Sequence, residues 1–383
     1  MIPLSIPNIN GNEWKYVKDC LDTEWISSAG KFVDKFENSI AEYTGSKHAI
    51  ACVNGTASLF LSLKLAGVKS EEEVIISTLT FIAPVNAITY LGANPIFMDV
   101  DNYFNINCEK TIDFIKNKTF FKSGNTYNTI TRKRISAIIP VHVWGNAVQL
   151  LELKKLCKER NIKIVEDASE SLGTFYLDGE LSKRHTGTIG KFGCISFNGN
   201  KIISSGGGGM ILTNHESLAE EAKYYSTQAK DDGLKYIHNN VGYNLRLTNV
   251  QAAIGLAQLE LINKFLCRKR EIYRTYDDYL SKINGVELMK TPTYAKNNHW
   301  LNVVKIDKGI LSKDIDAFIL DMKSNNMEVR PIWKLNHLQK PYIRCQSYII
   351  EKALRFVESC ICLPSSSNLK DEEIKKVVDV LNE

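Results

Sequence analysis

The chain has 383 residues, 44% hydrophobic and 24% charged, with a net charge of +5. At roughly 150 residues per domain this is two to three domains' worth of chain, apolar enough to bury a substantial core. The small, dispersed positive excess argues against nucleic acid or an anionic membrane as partner, and nine scattered cysteines with no C-x-x-C pair argue against a disulfide framework or a zinc site.

The first residues, MIPLSIPNINGNEWKYVK, lack a basic segment followed by an apolar one, so no secretory signal is expected. No apolar window reaches ~18 residues, so no membrane span is expected either. These readings place the protein in the cytoplasm. From about residue 50 to 168, short β-rich runs alternate with helical segments. HAIACVN predicts a strand, and GTASLFLSLKLAGV a helix stopped at Gly67. EEVIIS is the next strand, APVNAITYLGA the next helix, and NPIFMDV a further strand. The basic, polar run from Asn117 to Lys133 is expected to be a mobile surface loop or hairpin. ISAIIPVHV, the helix LLELKKLCKERN and KIVEDA follow, and then the short strands KFGCISFN and GGMILTN. Such alternation predicts an α/β fold whose mostly parallel sheet carries helices on both faces. Ligands of such sheets sit outside the carboxyl ends of the strands. VQAAIGLAQLELINKFLCRKREIYRTYDDYLSKI has sustained helical periodicity and is expected to be a long connector into a second domain. Beyond it, HWLNVVKI and EVRPIW read as strands, and LSKDIDAFILDMKS, IIEKALRFVES and DEEIKKVVDVLN as helices. The expected division is a large domain over 1–250 and a connector plus small domain over 251–383.

The stretch ISFNGNKIISSGGGGMILTN sets Lys201 among small polar residues, ahead of Gly206, Gly207, Gly208 and Gly209. An ordinary lysine, with a pKa of roughly 10.4, is a poor nucleophile at neutral pH. Partial burial or a nearby cation lowers that pKa and permits a Schiff base with an aldehyde. The glycines suit a backbone that passes close to something or takes positive φ. VNGTAS lies between a strand and a helix, where a helix N-terminus presents free N–H groups to a phosphate. The same residues also fit a simple N-cap by Asn54 or Thr56. In IVEDASES, Asp167 closes a buried strand, flanked by Glu166 and Glu170. A carboxylate there needs a cationic or N–H partner, or it caps the following turn. A reactive lysine, a buried carboxylate and a phosphate cup together fit one cofactor, pyridoxal 5'-phosphate (PLP).

The motifs NGTASL, TFIAPVNAI, PVHVWGNAV, EDASESLG, SFNGNKIISSGGGGM and GYNLRLTNVQAAIG follow one another in that order. With them the chain resembles, over nearly its whole length, the DegT/DnrJ/EryC1/StrS sugar aminotransferases. These belong to the fold type I, aspartate-aminotransferase-like PLP enzymes. The resemblance implies a three-layer large domain with a mostly parallel sheet and a smaller α+β C-terminal domain. It implies that Lys201 joins the cofactor, that Asp167 pairs with the ring nitrogen, and that Phe81 stacks on the ring, a residue that also suits core packing. It implies that the backbone amides of Thr56 and Ala57 and the hydroxyl of Ser196 hold the phosphate. Asn244 would reach that phosphate from a second subunit, which requires a homodimer with shared active sites. Glu170 stands where many members have Gln or His near the ring hydroxyl, and Gly206–Gly209 replaces the more usual G-E-G-G. The subgroup most like SFNGNKI and its consecutive glycines makes UDP-4-amino-4,6-dideoxy-N-acetylglucosamine for legionaminic acid or bacillosamine synthesis.

The expected reaction moves an amino group from L-glutamate to C4 of a nucleotide-linked 4-keto-6-deoxy sugar. The main reading is UDP-2-acetamido-2,6-dideoxy-4-keto-hexose, for bacterial surface glycan or nonulosonic acid synthesis. The alternative is a dTDP- or GDP-linked sugar of the viosamine or perosamine type. His142 and Trp144 follow a strand, and Arg330, Trp333 and His337 come from the second domain; all are candidates for sugar or diphosphate contacts. Arg246 is a candidate for glutamate or the dimer. Each also suits a core or locally paired role. Sugar dehydratases of this fold replace the lysine with histidine, which Lys201 disfavours. A non-catalytic binding or regulatory protein would not need both Lys201 and Asp167. A Rossmann dehydrogenase lacks support, because no G-x-G-x-x-G stands at a strand–helix turn.

Overall fold

The computed structural model describes residues 1–307, 309–310 and 315–382. The chain opens with α1 (Glu13–Asp22) and α2 (Lys31–Thr44) and then enters the alternating region. There run β1 (His48–Cys52), α3 (Gly55–Ala66), β2 (Glu73–Ser77), α4 (Ile82–Tyr90), β3 (Asn94–Met98) and α5 (Cys108–Asn117). The hairpin β4 (Thr119–Lys122) and β5 (Asn125–Asn128) precedes β6 (Arg134–Ile139), α6 (Leu151–Glu159) and β7 (Lys163–Asp167). The short β8 (Phe175–Tyr176), β9 (Phe192–Ser196), β10 (Gly209–Thr213) and α7 (Glu216–Ser226) follow. Two helices, α8 (Asn249–Glu260) and α9 (Ile262–Leu280), lead out to β11 (Val286–Leu288), β12 (Ala295–Lys296), β13 (Asn302–Ile306), α10 (Ile315–Ser324) and β14 (Arg330–Pro331). The chain ends with β15 (Ser347–Tyr348), α11 (Lys352–Val357), β16 (Cys360–Leu363) and α12 (Asp371–Asn382).

Among the described residues the large sheet has the order β1-β10-β9-β7-β6-β2-β3-β15, and the β4–β5 hairpin adds to β6. Strands β9, β7, β6, β2, β3 and β15 are mutually parallel. Only β10 and its neighbour contacts, and the hairpin, run antiparallel. Alternation along the strands sorts side chains into two cores. Val74, Ile76, Phe97, Ala137, Ile139 and Val165 face the core that also holds α2, α3, α4 and α8. Ile75, Ile96, Met98, Ile138 and Ile164 face the core formed with α5 and α6. Three layers therefore form, because the central strands are apolar on both faces. This is the expected three-layer α/β arrangement with a mostly parallel sheet.

A second, four-stranded antiparallel sheet runs β11-β13-β16-β14. It packs with α9, α10 and α12 around Val304, Phe318, Ile361 and Val377. The chain start joins this unit, since Ile2 donates its N–H to the carbonyl of Asn326.

The structure departs from the expected organisation in three places. The predicted connector is two helices that break at Leu261, where neither glycine nor proline marks the turn. The expected connector shares both cores: Ala252, Ala253 and Leu256 of α8 lie in the large core, and the change comes within α9, between Leu266 and Ile272. The C-terminal part also returns to the large sheet, with β15 beside β3 and Asp99 accepting the N–H groups of Lys352 and Ala353 at the start of α11. The Asn117–Lys133 run forms the hairpin of its two expected forms, turning at Ser123 and Gly124, both with positive φ. In the predicted helix LSKDIDAFILDMKS, residues 311–314 lie outside the described residues.

The glycine run has a direct steric basis. A Cβ on Gly209 would lie 2.4 Å from the carbonyl carbon of Asn54 and 2.7 Å from the nitrogen of Gly55, and Gly208 holds φ +115°. Strand β10 thus packs backbone to backbone against the turn that opens α3. Gly209→Ala should cost about 1–3 kcal/mol through overpacking and lower Tm in a thermal melt, whereas Gly199→Ala, with nothing within 4 Å of the added carbon, should leave Tm unchanged.

Candidate active site

The turn between β1 and α3 exists because Asn54 caps the helix: its side chain accepts the N–H of Ala57 at 2.8 Å. The N–H groups of the first helical turn have no partner inside the helix, and the helix dipole adds positive potential there. Asn54 takes the Ala57 amide, and Ala57 does not line the adjoining cavity. Gly55 and Thr56 line the cavity instead. Gly55 also lets Ser196 and Ser169 approach, since a Cβ there would lie 2.9 Å from the Ser196 Cβ and 3.2 Å from the Ser169 Oγ. Together these residues form a small cup of amides and hydroxyls.

The cup opens into a cavity of about 330 Å³ at the carboxyl ends of the parallel strands, walled by Phe81, Asp167, Glu170, Lys201, Trp300 and Trp333. Such a volume suits a small-molecule site. Asp167, the last residue of β7, is buried, and the backbone N–H of Ser169 donates to it at 3.0 Å. Burial pushes its carboxyl up from the ordinary range, against the opposing hydrogen bonds of Ser169. A carboxylate in that state is short of positive charge. Glu170 is likewise buried; one oxygen accepts the N–H of Trp144 at 2.9 Å, and the other lies 3.6 Å from Lys201 Nζ. Burial pushes the Glu170 carboxyl up to about 7, although Lys201 and the Trp144 amide oppose it. Burial lowers the Lys201 amine, with Glu170 and Asp167 acting the other way. Lys201 Nζ also lies 3.7 Å from the centre of the Trp300 ring.

A second cavity of about 570 Å³ adjoins the first, sharing Phe81, Asn200, Trp300 and Trp333, and adds Trp144, Glu328 and Arg330. Arg330 is exposed and donates to Glu328 at 2.8 Å. Trp144 has φ 50°, and its ring nitrogen is buried with no hydrogen-bond partner.

Two candidate substrate residues lie elsewhere. His142 is fully buried: it receives the Val148 N–H on Nδ1 at 3.1 Å and pairs through Nε2 with Glu166 at 3.0 Å. Since Nδ1 accepts, Nε2 carries the proton and donates. Glu166 also accepts the amides of Gly187, Ile189 and Gly190. Burial works against its charge, yet His142 and those amides hold it below the usual carboxylate range. His142 therefore supports the end of β7 and lines neither cavity. His337 bonds Thr78 at 2.6 Å and lines neither cavity, because Asn336 anchors its turn to the carbonyls of Thr78 and Thr80. Asn244 is exposed and accepts from Arg246 at 3.1 Å, and it lines neither cavity of its own chain. Trp300, Ser169, Asn198 and Asn200 line the site without having been expected there. Trp300 stands 99 residues after Lys201 in a strand-like run, where a large aromatic reads as core. Among the described residues, no cluster of metal-ligating side chains is present and no helix is long and apolar enough to cross a membrane.

The DegT/DnrJ/EryC1/StrS aminotransferase family model matches residues 7–382. The chain is 34% identical to GDP-perosamine synthase of Caulobacter vibrioides, covering 100% of this chain and 98% of that protein. It is also 34% identical to GDP-perosamine synthase of Escherichia coli O157:H7, with the same coverage of both chains. The aminotransferase TlmJ from Streptoalloteichus hindustanus superposes with a TM-score of 0.88 at 25% identity, over 100% of this chain and 98% of that one. The chain belongs to the DegT/DnrJ/EryC1/StrS family and is a PLP-dependent sugar aminotransferase.

The residues present fit PLP. Asp167 is a buried carboxyl that burial pushes up and that a protonated ring nitrogen would offset, Lys201 lines the same cavity, and so do Gly55, Thr56 and Ser196. Lys201→Ala should abolish the visible band of the lysine-bound cofactor, expected at about 410–430 nm, and with it any borohydride-reducible adduct; a reducible adduct that persists would place the attachment elsewhere. Glu170 favours its protonated form in the fold, so its contribution to stability is complete below its ordinary value of 4.5 and is lost as pH rises to about 7. Glu170→Gln should flatten the dependence of Tm on pH across that window in the cofactor-free protein, a change on the order of 3 kcal/mol.

Proposed function

We propose that this enzyme transfers the amino group of L-glutamate to C4 of a nucleotide-linked 4-keto-6-deoxy sugar, and that the sugar is GDP-linked and of the perosamine type. The full-length similarity to GDP-perosamine synthases carries this reading. It displaces the UDP-sugar of legionaminic acid or bacillosamine synthesis as the main expectation. The UDP-linked 2-acetamido sugar stays as the second reading on one observation, the run SFNGNKI followed by consecutive glycines.

When bound, PLP supplies an aldehyde that exchanges amines and a ring that withdraws electrons. Gly55, Thr56 and Ser196 would hold its phosphate, Phe81 would cover its ring, and Asp167 would balance charge at its ring nitrogen. Lys201 would be both the tether of the bound cofactor and the base that holds the transferred proton on Nζ, a role its amine, lowered by burial, suits. Asp167 would favour positive charge on the ring nitrogen and so strengthen the electron withdrawal the bound cofactor supplies. The adjoining aromatic cavity receives the sugar, with Trp144 and Trp333 as its walls and Arg330 at its rim for the diphosphate. A homodimer completes the site if Asn244 of one subunit meets the phosphate cup of the other, and its exposure is compatible with that role. The cytoplasm is the proposed place of action.

The test is spectroscopic. L-Glutamate should shift the visible band to about 330 nm, the position of pyridoxamine phosphate, and a GDP-linked 4-keto-6-deoxy sugar should restore it. Restoration by the UDP-linked 2-acetamido keto sugar alone would select the second reading, and no shift with glutamate would overturn the amino-donor assignment.

A further inference from the structure

Trp300 is held at several points while its ring faces the reactive lysine. Its backbone N–H donates to Asn298 at 3.0 Å, and its indole N–H donates to the carbonyl of Asn200 at 2.6 Å. Its carbonyl accepts from Lys269 Nζ at 2.8 Å. Lys269 is fully buried in α9 and also donates to the carbonyl of Ser365, so one ammonium ties α9 to two loop segments. Asn298 in turn donates to the carbonyls of Glu170 and Leu172, each at 2.9 Å. Asn298 thus ties the Trp300 backbone to the backbone of Glu170, whose side chain accepts the Trp144 N–H, and Lys201 Nζ lies 3.7 Å from the Trp300 ring centre and 3.6 Å from a Glu170 carboxylate oxygen.

An ammonium in a desolvated site is stabilised by an aromatic face, most strongly by that of tryptophan. A lysine that alternates between covalent attachment and proton transfer needs a defined place for its free, charged form. We propose that the Trp300 ring and the Glu170 carboxylate form a seat for the Lys201 ammonium in the part of the cycle when it is released from the cofactor, which makes Trp300 a positioning residue for the proton shuttle. The inference rests on the aminotransferase reading above. The seat keeps the amine beside the cavity, and the proton it holds is the one it received from substrate carbon and gives back. The titratable groups that face Lys201 are Glu170 and Asp167, and both favour its charged form. Trp300 adds to them an uncharged contribution that pH cannot remove. Asn200, adjacent to Lys201, explains why the indole suits this position better than a phenyl ring: its carbonyl receives the indole N–H and fixes the ring plane.

The experiment uses the full-length enzyme converted by L-glutamate to its pyridoxamine phosphate form, in which Lys201 is free. Limiting acetic anhydride is applied across a pH series, and acetylation of Lys201 relative to exposed Lys47 is read by peptide mass spectrometry. Trp300→Leu should move the Lys201 labelling curve to lower pH by about one unit, and Trp300→Phe should retain most of the wild-type position. Superimposable curves for Trp300→Leu and wild type would overturn the proposal. Should Trp300→Leu not fold, the wild-type near-ultraviolet tryptophan spectrum must change with the Lys201 curve and that change must vanish in Trp300→Phe; a spectrum that does not follow Lys201 overturns the proposal equally. Failure of L-glutamate to convert the cofactor would count against the aminotransferase reading alone, because the same labelling series on the cofactor-free full chain still tests the seat.

Discussion

Burying an amine beside two carboxylates is the constraint on which this structure turns. Each group alone would be costly out of water. Together, Lys201, Asp167 and Glu170 share charge in a space that the indole of Trp300 closes on one side. Desolvation leaves the amine less basic than an ordinary lysine and both acids less acidic than ordinary carboxyls. Burial thus narrows the gap in basicity between the amine and the acids, which suits a site that passes protons between them.

The fold delivers this cluster by parallel strands that end on one side. Strand β7 ends at Asp167, and Glu170 follows in the next turn. Strand β9 ends at Ser196, five residues before Lys201. Strand β1 ends just ahead of the Asn54–Gly55 turn, and β10 returns antiparallel to press Gly209 against that turn. Support comes from below as well. The His142–Glu166 pair, with the three amides that Glu166 accepts, anchors the strand end that carries Asp167. Support from the second domain is longer in range, because Lys269 and Asn298 hold Trp300 in place.

Legibility in the sequence followed the locality of the interactions. Lys201, Asp167, Thr56 and Ser196 sit at strand ends inside short motifs, and the alternating pattern alone places such ends together. His142 shares that kind of position, but its ring turns inward to Glu166, and the motif PVHVWG contains nothing that distinguishes the two directions. The Ala57 amide goes to Asn54, since capping is a bond to a residue three places back. His337 belongs to a turn that Asn336 fastens to Thr78 and Thr80, residues more than 250 positions away.

By itself the sequence determined the layered α/β class, the succession of most elements and the aminotransferase family, because hydrophobic alternation and short motifs act over a few residues. Only the tertiary structure decided where the cores divide within α9, that α8 belongs to the large core, that β15 joins the large sheet, and that Trp300 meets Lys201. Those outcomes depend on contacts between segments far apart in the chain, and a buried side chain's partner is set by the space left when such segments pack together.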